Sequence, residues 1–360
     1  MVSYPGLASD AFRHPLDQEA EQALRSVPGF ELVARKFIEL LYERPQLVYL
    51  MGNAIQVGPN QYSTLHRLFQ ECVVCLDVDP VPQLFVSQNP AVNSYALGEE
   101  NPYIVVYSGL LDLLTEAEIR AVLAHELGHI KCGHTTLTQM AIWVMNTASI
   151  VGEFTLGLGN LVSTSLVMAF YEWRRKAELS ADRASLLGTD DLDTVLSTLM
   201  KLAGGSQRYG GELTLSAFRK QSLAYQDLDE DGLNTLYKAL FYSGGTDLMM
   251  THPFPVDRVT YLEEWATSGA YQRIRQGTYP RKSTAATAAT APPSSASARP
   301  QAATTSPPRS AATSSNAKPS VHSTPTPSSS SSAEIEQLRQ EIHALQAELA
   351  RRKGQGSPQS

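Results

Sequence analysis

The sequence predicts an α+β chain, mostly helical, in which a small sheet lies beside one central helix and the folded part is followed by a disordered linker and a short C-terminal coiled-coil helix. Three observations predict it. A capped segment with apolar residues at helical spacing covers 115–134. Just before it, three short runs rich in β-branched and aromatic residues are separated by Asn-Pro and Gly-Glu-Glu-Asn-Pro breaks. Near Arg281 the composition turns abruptly to Ala, Ser, Thr and Pro.

The first thirty residues hold acids and prolines but no basic start and no apolar stretch, so no signal peptide is expected and a cytoplasmic location is. Residues 17–26 read as a short polar helix ended by Pro28-Gly29. Residues 30–43 read as an amphipathic helix with Leu32, Phe37, Leu40 and Leu41 on its apolar side. Both are expected to pack on the central helices without carrying chemistry. In 61–76, Leu65, Leu68, Phe69, Cys72 and Leu76 form an apolar stripe, so Cys72 and Cys75 are expected to be buried structural residues despite their CxxC spacing. Three cysteines make no disulfide framework and suit a reducing compartment.

The strands are expected at 83–87, 92–97 and 103–107, leading into the central helix. Thr115 with Glu118 forms a capping box, Ile119, Val122, Leu123, Leu127 and Ile130 form the buried stripe, and Gly133 reads as the stop. Residues 140–170 hold one charge, Glu153, and by length could cross a bilayer, yet Gly157, Gly159 and Asn160 break the run. Buried or amphipathic helices and a membrane-inserted hairpin both stay open. Another apolar helix covers 192–203. The acidic stretch starting at Asp227 imitates a calcium loop but puts Lys238 where a bidentate Glu is required, so a solvated loop is the better reading.

From Lys282 to Ser332 there is no acid and no aromatic, and the segment cannot bury enough to order itself. Ile335, Leu338, Ile342, Leu345 and Leu349 then repeat at alternating spacings of three and four, a heptad seam suited to a homodimer or a partner helix. The net charge is −7; residues from Arg281 onward hold nine Lys/Arg and four Asp/Glu, which leaves −12 on 1–280. Such an acidic body argues against nucleic acid as a partner.

The chemistry lies in the central helix, His125-Glu126-Leu127-Gly128-His129. On a helix, positions i and i+4 stand one above the other, so His125 and His129 can aim two imidazoles at one ion while Glu126 is placed to meet a water there. A third ligand is required. A His six residues past His129 would be one solution, but Cys132 stands where that pattern needs Gly and His134 comes one residue early. The other solution is a glutamate on a later helix, and Glu178 fits, with Asp182 four residues on to hydrogen-bond the outer N–H of a liganding His.

HELGH, then Glu178-Leu179-Ser180-Ala181-Asp182, then Thr251-His252-Pro253 with Arg258 six residues past the His, resemble the M48 family of zinc metallopeptidases, the gluzincins that include HtpX-like and CAAX-prenyl-protease-like enzymes. The resemblance spans about Phe30 to Trp265. It implies a zincin-like domain at 30–280, and composition and the heptad seam set off a polar extension at 1–29, a linker at 281–333, a coiled coil at 334–353 and a tail at 354–360. It implies one Zn²⁺ per chain on His125, His129 and Glu178, Glu126 as general base, and His252 and Arg258 as donors to the oxyanion. It also implies a peptide or unfolded-protein substrate, added as a strand along Asn93, Ser94, Tyr95 and Ala96, with a role in protein quality control as one setting. Two other readings stay in view: an interaction scaffold with a structural zinc domain and a recruiting tail, and an integral membrane protease attached through 140–170.

Overall fold

The computed structural model describes residues 2–40, 43–150, 164–229, 252 and 254–282. The chain divides into two units, Met1–Ala291 and Pro292–Ser360. The second, with the expected coiled coil, lies outside the described residues, as does most of the acidic stretch after Asp229.

The described helices are α1 (Pro15–Ser26), α2 (Phe30–Leu40), α3 (Glu43–Asn53), α4 (Ser63–Leu76), α5 (Ser108–Leu113), α6 (Glu116–Lys131), α7 (His134–Ile150), α8 (Thr164–Thr189), α9 (Leu192–Gly204), α10 (Leu215–Asp229), α11 (Pro255–Thr267) and α12 (Gly269–Arg275). Four strands, β1 (Ile55–Gln56), β2 (Gln83–Ser87), β3 (Ser94–Leu97) and β4 (Tyr103–Tyr107), form one sheet in the order β1-β2-β4-β3. β2 and β4 are parallel; β1 and β3 pair antiparallel at the two edges.

The sheet is covered on both faces, which is why β2 and β4 read as nearly continuous apolar runs. Leu84, Val86, Ile104 and Val106 point into the main core with α4, α6 and α9, whereas Phe85, Tyr103 and Val105 point the other way onto Leu50 of α3. A third cluster joins Leu24 of α1, Phe30, Val33 and Phe37 of α2, Leu137 and Met140 of α7, and Phe170 and Trp173 of α8. Tyr4, Leu7 and Phe12 are buried in the main core, and Leu7 bridges to Arg281.

Helix α6 starts as its sequence dictates. Thr115 Oγ1 accepts from the Glu118 backbone N–H, and the Glu118 carboxylate accepts from the Thr115 N–H. The helix ends at Gly133, whose φ of 71° suits a residue without Cβ.

Some expectations change. Leu32 is 38% exposed rather than on the buried side of α2, because Phe30, Val33 and Phe37 define that side. Helix α3 and strand β1 were not anticipated: Val48, Tyr49 and Met51 of α3 are exposed, so its apolar residues do not fall on one stripe. Cys72 and Cys75 are buried free thiols. The 140–170 run begins in α7 and ends in α8, with 151–163 outside the described residues. Among the described residues no helix is long and apolar enough to cross a membrane.

Candidate active site

The site forms where α6 and α8 touch. A Cβ on Gly128 would stand 2.6 Å from Ala184 Cβ, and one on Gly188 would stand 2.4 Å from Ala124 Cβ. Two glycines facing alanines therefore let the helix backbones approach closely, which sets Glu178 of α8 against the histidines of α6. His125 Nε2 lies 3.2 Å from His129 Nε2, and these two atoms lie 3.3 Å from Glu178 Oε2 and Oε1 respectively. Tetrahedral ligands on a zinc ion, each about 2.0–2.1 Å from it, stand about 3.3 Å from one another, so these three side chains fit a metal. Ligand-type atoms of His125, His129, Glu178 and His252 all lie within 4.8 Å of one another.

Both histidine rings are held from behind. His125 Nδ1–H donates to Asp182 Oδ1 at 3.1 Å. Asp182 is gripped by Arg258, whose Nε donates to Oδ2 at 2.7 Å and whose Nη2 meets Oδ1; Arg258 Nη1 also stands 2.9 Å from Glu178 Oε2. Behind His129 the partner is a histidine: His129 Nδ1 lies 3.0 Å from His134 Nδ1, and His134 Nε2 lies 3.0 Å from Asp17 Oδ2.

Glu126 is 1% exposed. Ser94 Oγ donates to its Oε1 at 2.6 Å, and its Oε2 is buried with no hydrogen-bond partner, the position of a group made to meet something absent from the protein itself. His252 reaches in from the loop before α11, with Nδ1 3.0 Å from Glu178 Oε2, Nε2 donating to the Ser94 carbonyl at 2.8 Å, and Nε2 3.3 Å from Glu126 Oε1.

Three carboxylates, Glu126, Glu178 and Asp182, are thus buried around one guanidinium, and the surplus negative charge shows in the proton affinities. Burial alone would raise Glu126, but His252, His125 and His129 hold it down at about 2. Burial likewise works against Glu178, which His252 and Arg258 hold well below the ordinary range, and Arg258 does the same for Asp182. Burial lowers His252, yet Glu178 and Glu126 outweigh it and push the ring up to about 10. His129 goes the other way, to about 4, chiefly through burial. A buried pocket whose carboxylates stay ionised and whose histidine takes up a proton to match them is one that a divalent cation suits.

The structure therefore brings together His125, Glu126, His129, Glu178, Asp182, His252 and Arg258. It places β3 at the sheet edge beside α6, with Asn93, Ser94 and Ala96 buried and Tyr95 half-buried. Arg258 is 3% exposed and engaged by Asp182 and Glu178. Sequence reasoning missed Asp17 and His134, and also the apolar wall of Val122, Val195, Leu199 and Leu202 in the cleft beside Glu126. The sequence raised His134 only as a third ligand that comes one residue early, and nothing local marks Asp17.

An HExxH helix crossed by a later helix bearing a glutamate and an aspartate four residues apart, beside a small sheet, defines a zincin-like metallopeptidase. Residues 59–266 match the profile of peptidase family M48, and the chain belongs to that family. It is 35% identical over 286 residues to the plastoglobule-localized metallopeptidase 48 of Arabidopsis thaliana, covering 78% of this chain and 79% of the relative. It is 26% identical to the protease HtpX homolog 2 of Methanosarcina acetivorans, covering 63% and 80%. The protease HtpX homolog of Burkholderia multivorans is 23% identical, covering 63% and 82%. The chain is accordingly a metallopeptidase, with a metal as its cofactor and peptides or proteins as its substrates.

Proposed function

We propose that the protein is a zinc-dependent metalloendopeptidase that holds one Zn²⁺ on His125, His129 and Glu178 and uses Glu126 as general base. The observation that carries this reading is the convergence of three side chains, with the His125 and His129 Nε2 atoms 3.2 Å apart and each 3.3 Å from one oxygen of the Glu178 carboxylate, next to an unpartnered buried carboxylate oxygen of Glu126. When bound, the ion would supply Lewis acidity, polarising the peptide carbonyl and making water a better nucleophile.

The chain's own groups do the rest. Ser94 occupies Glu126 Oε1 and leaves Oε2 free to take the proton of the attacking water and return it to the leaving nitrogen. Glu126 is ionised at neutral pH, as a base must be. His252, with Nε2 3.3 Å from Glu126 Oε1, is our donor to the developing oxyanion, its Nε2–H turning from the Ser94 carbonyl to the substrate. Arg258 is assigned to positioning in place of the oxyanion role, because its guanidinium is committed to Asp182 and Glu178. An extended peptide would add to the free edge of β3 through backbone hydrogen bonds, with an apolar side chain against Val122, Val195, Leu199 and Leu202. Unfolded chains, which present such extended segments, are the substrate class we favour.

The test is turnover of unfolded casein by the zinc-loaded protein, with Glu126→Gln beside it. The variant is expected to keep zinc and lose turnover by at least ~10²-fold, the lower end of what a positioned acid–base group contributes. A variant that binds zinc and still cuts at the wild-type rate rejects Glu126 as base; a wild type that binds zinc and cuts no peptide favours the scaffold reading.

A further inference from the structure

A chain of buried polar side chains leads from the metal site to the N-terminal helix. If His129 offers its Nε2 lone pair to a metal, the ring proton sits on Nδ1 and needs an acceptor. The atom in place is His134 Nδ1, 3.0 Å away. His134 accepts there only as the tautomer protonated on Nε2, and that nitrogen lies 3.0 Å from Asp17 Oδ2. Asp17, fully buried, is fixed from two further sides, by Arg13 Nε at 2.8 Å and by Ser180 Oγ at 2.7 Å. Ser180 lies on α8 two residues past Glu178, and its Oγ also accepts from the His14 backbone N–H at 2.9 Å. The path therefore runs from α6 through α7 and α1 back to the helix that carries the third ligand. Trp173 packs edge-on against the His134 ring, 5.8 Å between centroids, which limits its rotation.

We propose that Asp17 and His134 are positioning residues of the metal site: the ionised Asp17 selects the tautomer of His134, and His134 in turn holds the His129 ring with Nε2 aimed at the ligand cluster. This rests on the zinc reading above. It makes the N-terminal helix a working part of the site, since removing Asp17 would release a ligand 112 positions away in sequence. It also gives the two liganding histidines different supports. His125 leans on a carboxylate backed by arginine, and His129 reaches its carboxylate through a second imidazole.

The experiment uses the full chain stripped of metal, titrated with Zn²⁺ against a chromophoric chelator, and loaded with Co²⁺ to record its visible ligand-field bands. His134→Phe keeps a ring of similar size but has no nitrogen; His134→Gln can accept with its amide oxygen and donate with its amide nitrogen. We expect His134→Phe to weaken zinc binding ~10–100-fold and to shift the cobalt bands, with His134→Gln within about threefold of wild type and Asp17→Asn between them. Unfolding of the metal-free proteins is followed in parallel. His134→Phe with wild-type zinc affinity and cobalt bands overturns the proposal, as do equal losses in Phe and Gln variants. If His134→Phe does not fold, unchanged affinity and bands in Asp17→Asn overturn it instead. A wild type that takes up no zinc rejects the metal site itself and this relay with it, whereas a zinc-binding wild type with insensitive variants rejects the relay alone.

Discussion

Arg258 lies 80 positions past Glu178 and 76 past Asp182, yet its guanidinium meets both carboxylates, and all three side chains are buried. Removing one partner of a buried ion pair leaves the other charge unpaired, so Arg258→Gln is expected to cost roughly 3–5 kcal/mol of stability. It should also weaken zinc binding by about 10–100-fold, because Asp182 would no longer hold His125 in place. Urea unfolding and zinc titration of the same preparation measure the two effects. Arg258→Lys is not expected to rescue either one, since a single ammonium cannot match the fork that serves Asp182 and Glu178 together. At this scale the sequence disclosed the residues whose geometry is local. His125 and His129 share a helix face by their spacing, as do Glu178 and Asp182. Arg258 was offered for the oxyanion only by the family resemblance, and the number of residues between two groups says nothing of which side of a site each approaches from.

At the scale of the elements, the site depends on how closely α6 and α8 approach. Gly128, inside the metal motif, faces Ala181 and Ala184, so an added methyl meets Ala184 Cβ at 2.6 Å and something must shift. Gly128→Ala should destabilise the fold by about 1–3 kcal/mol and move the α6 histidines off Glu178, lowering zinc affinity with it. Ala184→Gly, made in the same chain, should return most of both losses by restoring the space; a double variant no better than the single one would mean that the helix contact is not the cause. The amphipathic period and capping box of α6 were legible because they are written within sixteen residues. Helix α3 was not, because only part of one side packs on the sheet and its outer residues are apolar and exposed.

The whole molecule draws its N-terminal segment into the core, and this gives stability a dependence on acid. His14 caps α1, its Nδ1 accepting from the Leu16 N–H at 3.1 Å. Burial, with Arg183 and Lys176 adding to it and Asp17 opposing, lowers this imidazole from 6.5 to about 4. A group whose folded pKa lies below its unfolded value favours the fold while neutral, so its contribution is complete above about 6.5 and is lost as pH falls from there toward 4. The loss attributable to His14 is at most about 3 kcal/mol. His14→Asn, which can still cap, should flatten the urea midpoint between pH 6.5 and 4 relative to wild type; parallel curves for the two proteins would remove His14 as the source.

The sequence by itself determined the class of the protein. A metal motif, a later ligand helix and a run of short strands are each local patterns, set by helical and strand periodicity and by the caps and glycines that end them. It also determined that Cys72 and Cys75 are core residues, because an apolar stripe is likewise local. Tertiary structure alone decided which groups stand behind His125 and His129. His134 meets His129 across the turn at Gly133, and Asp17 meets both His134 and Ser180 because α1 packs against α8. Contacts of that kind depend on the relative placement of whole helices, which is fixed by the summed packing of the core and is not encoded in any spacing along the chain.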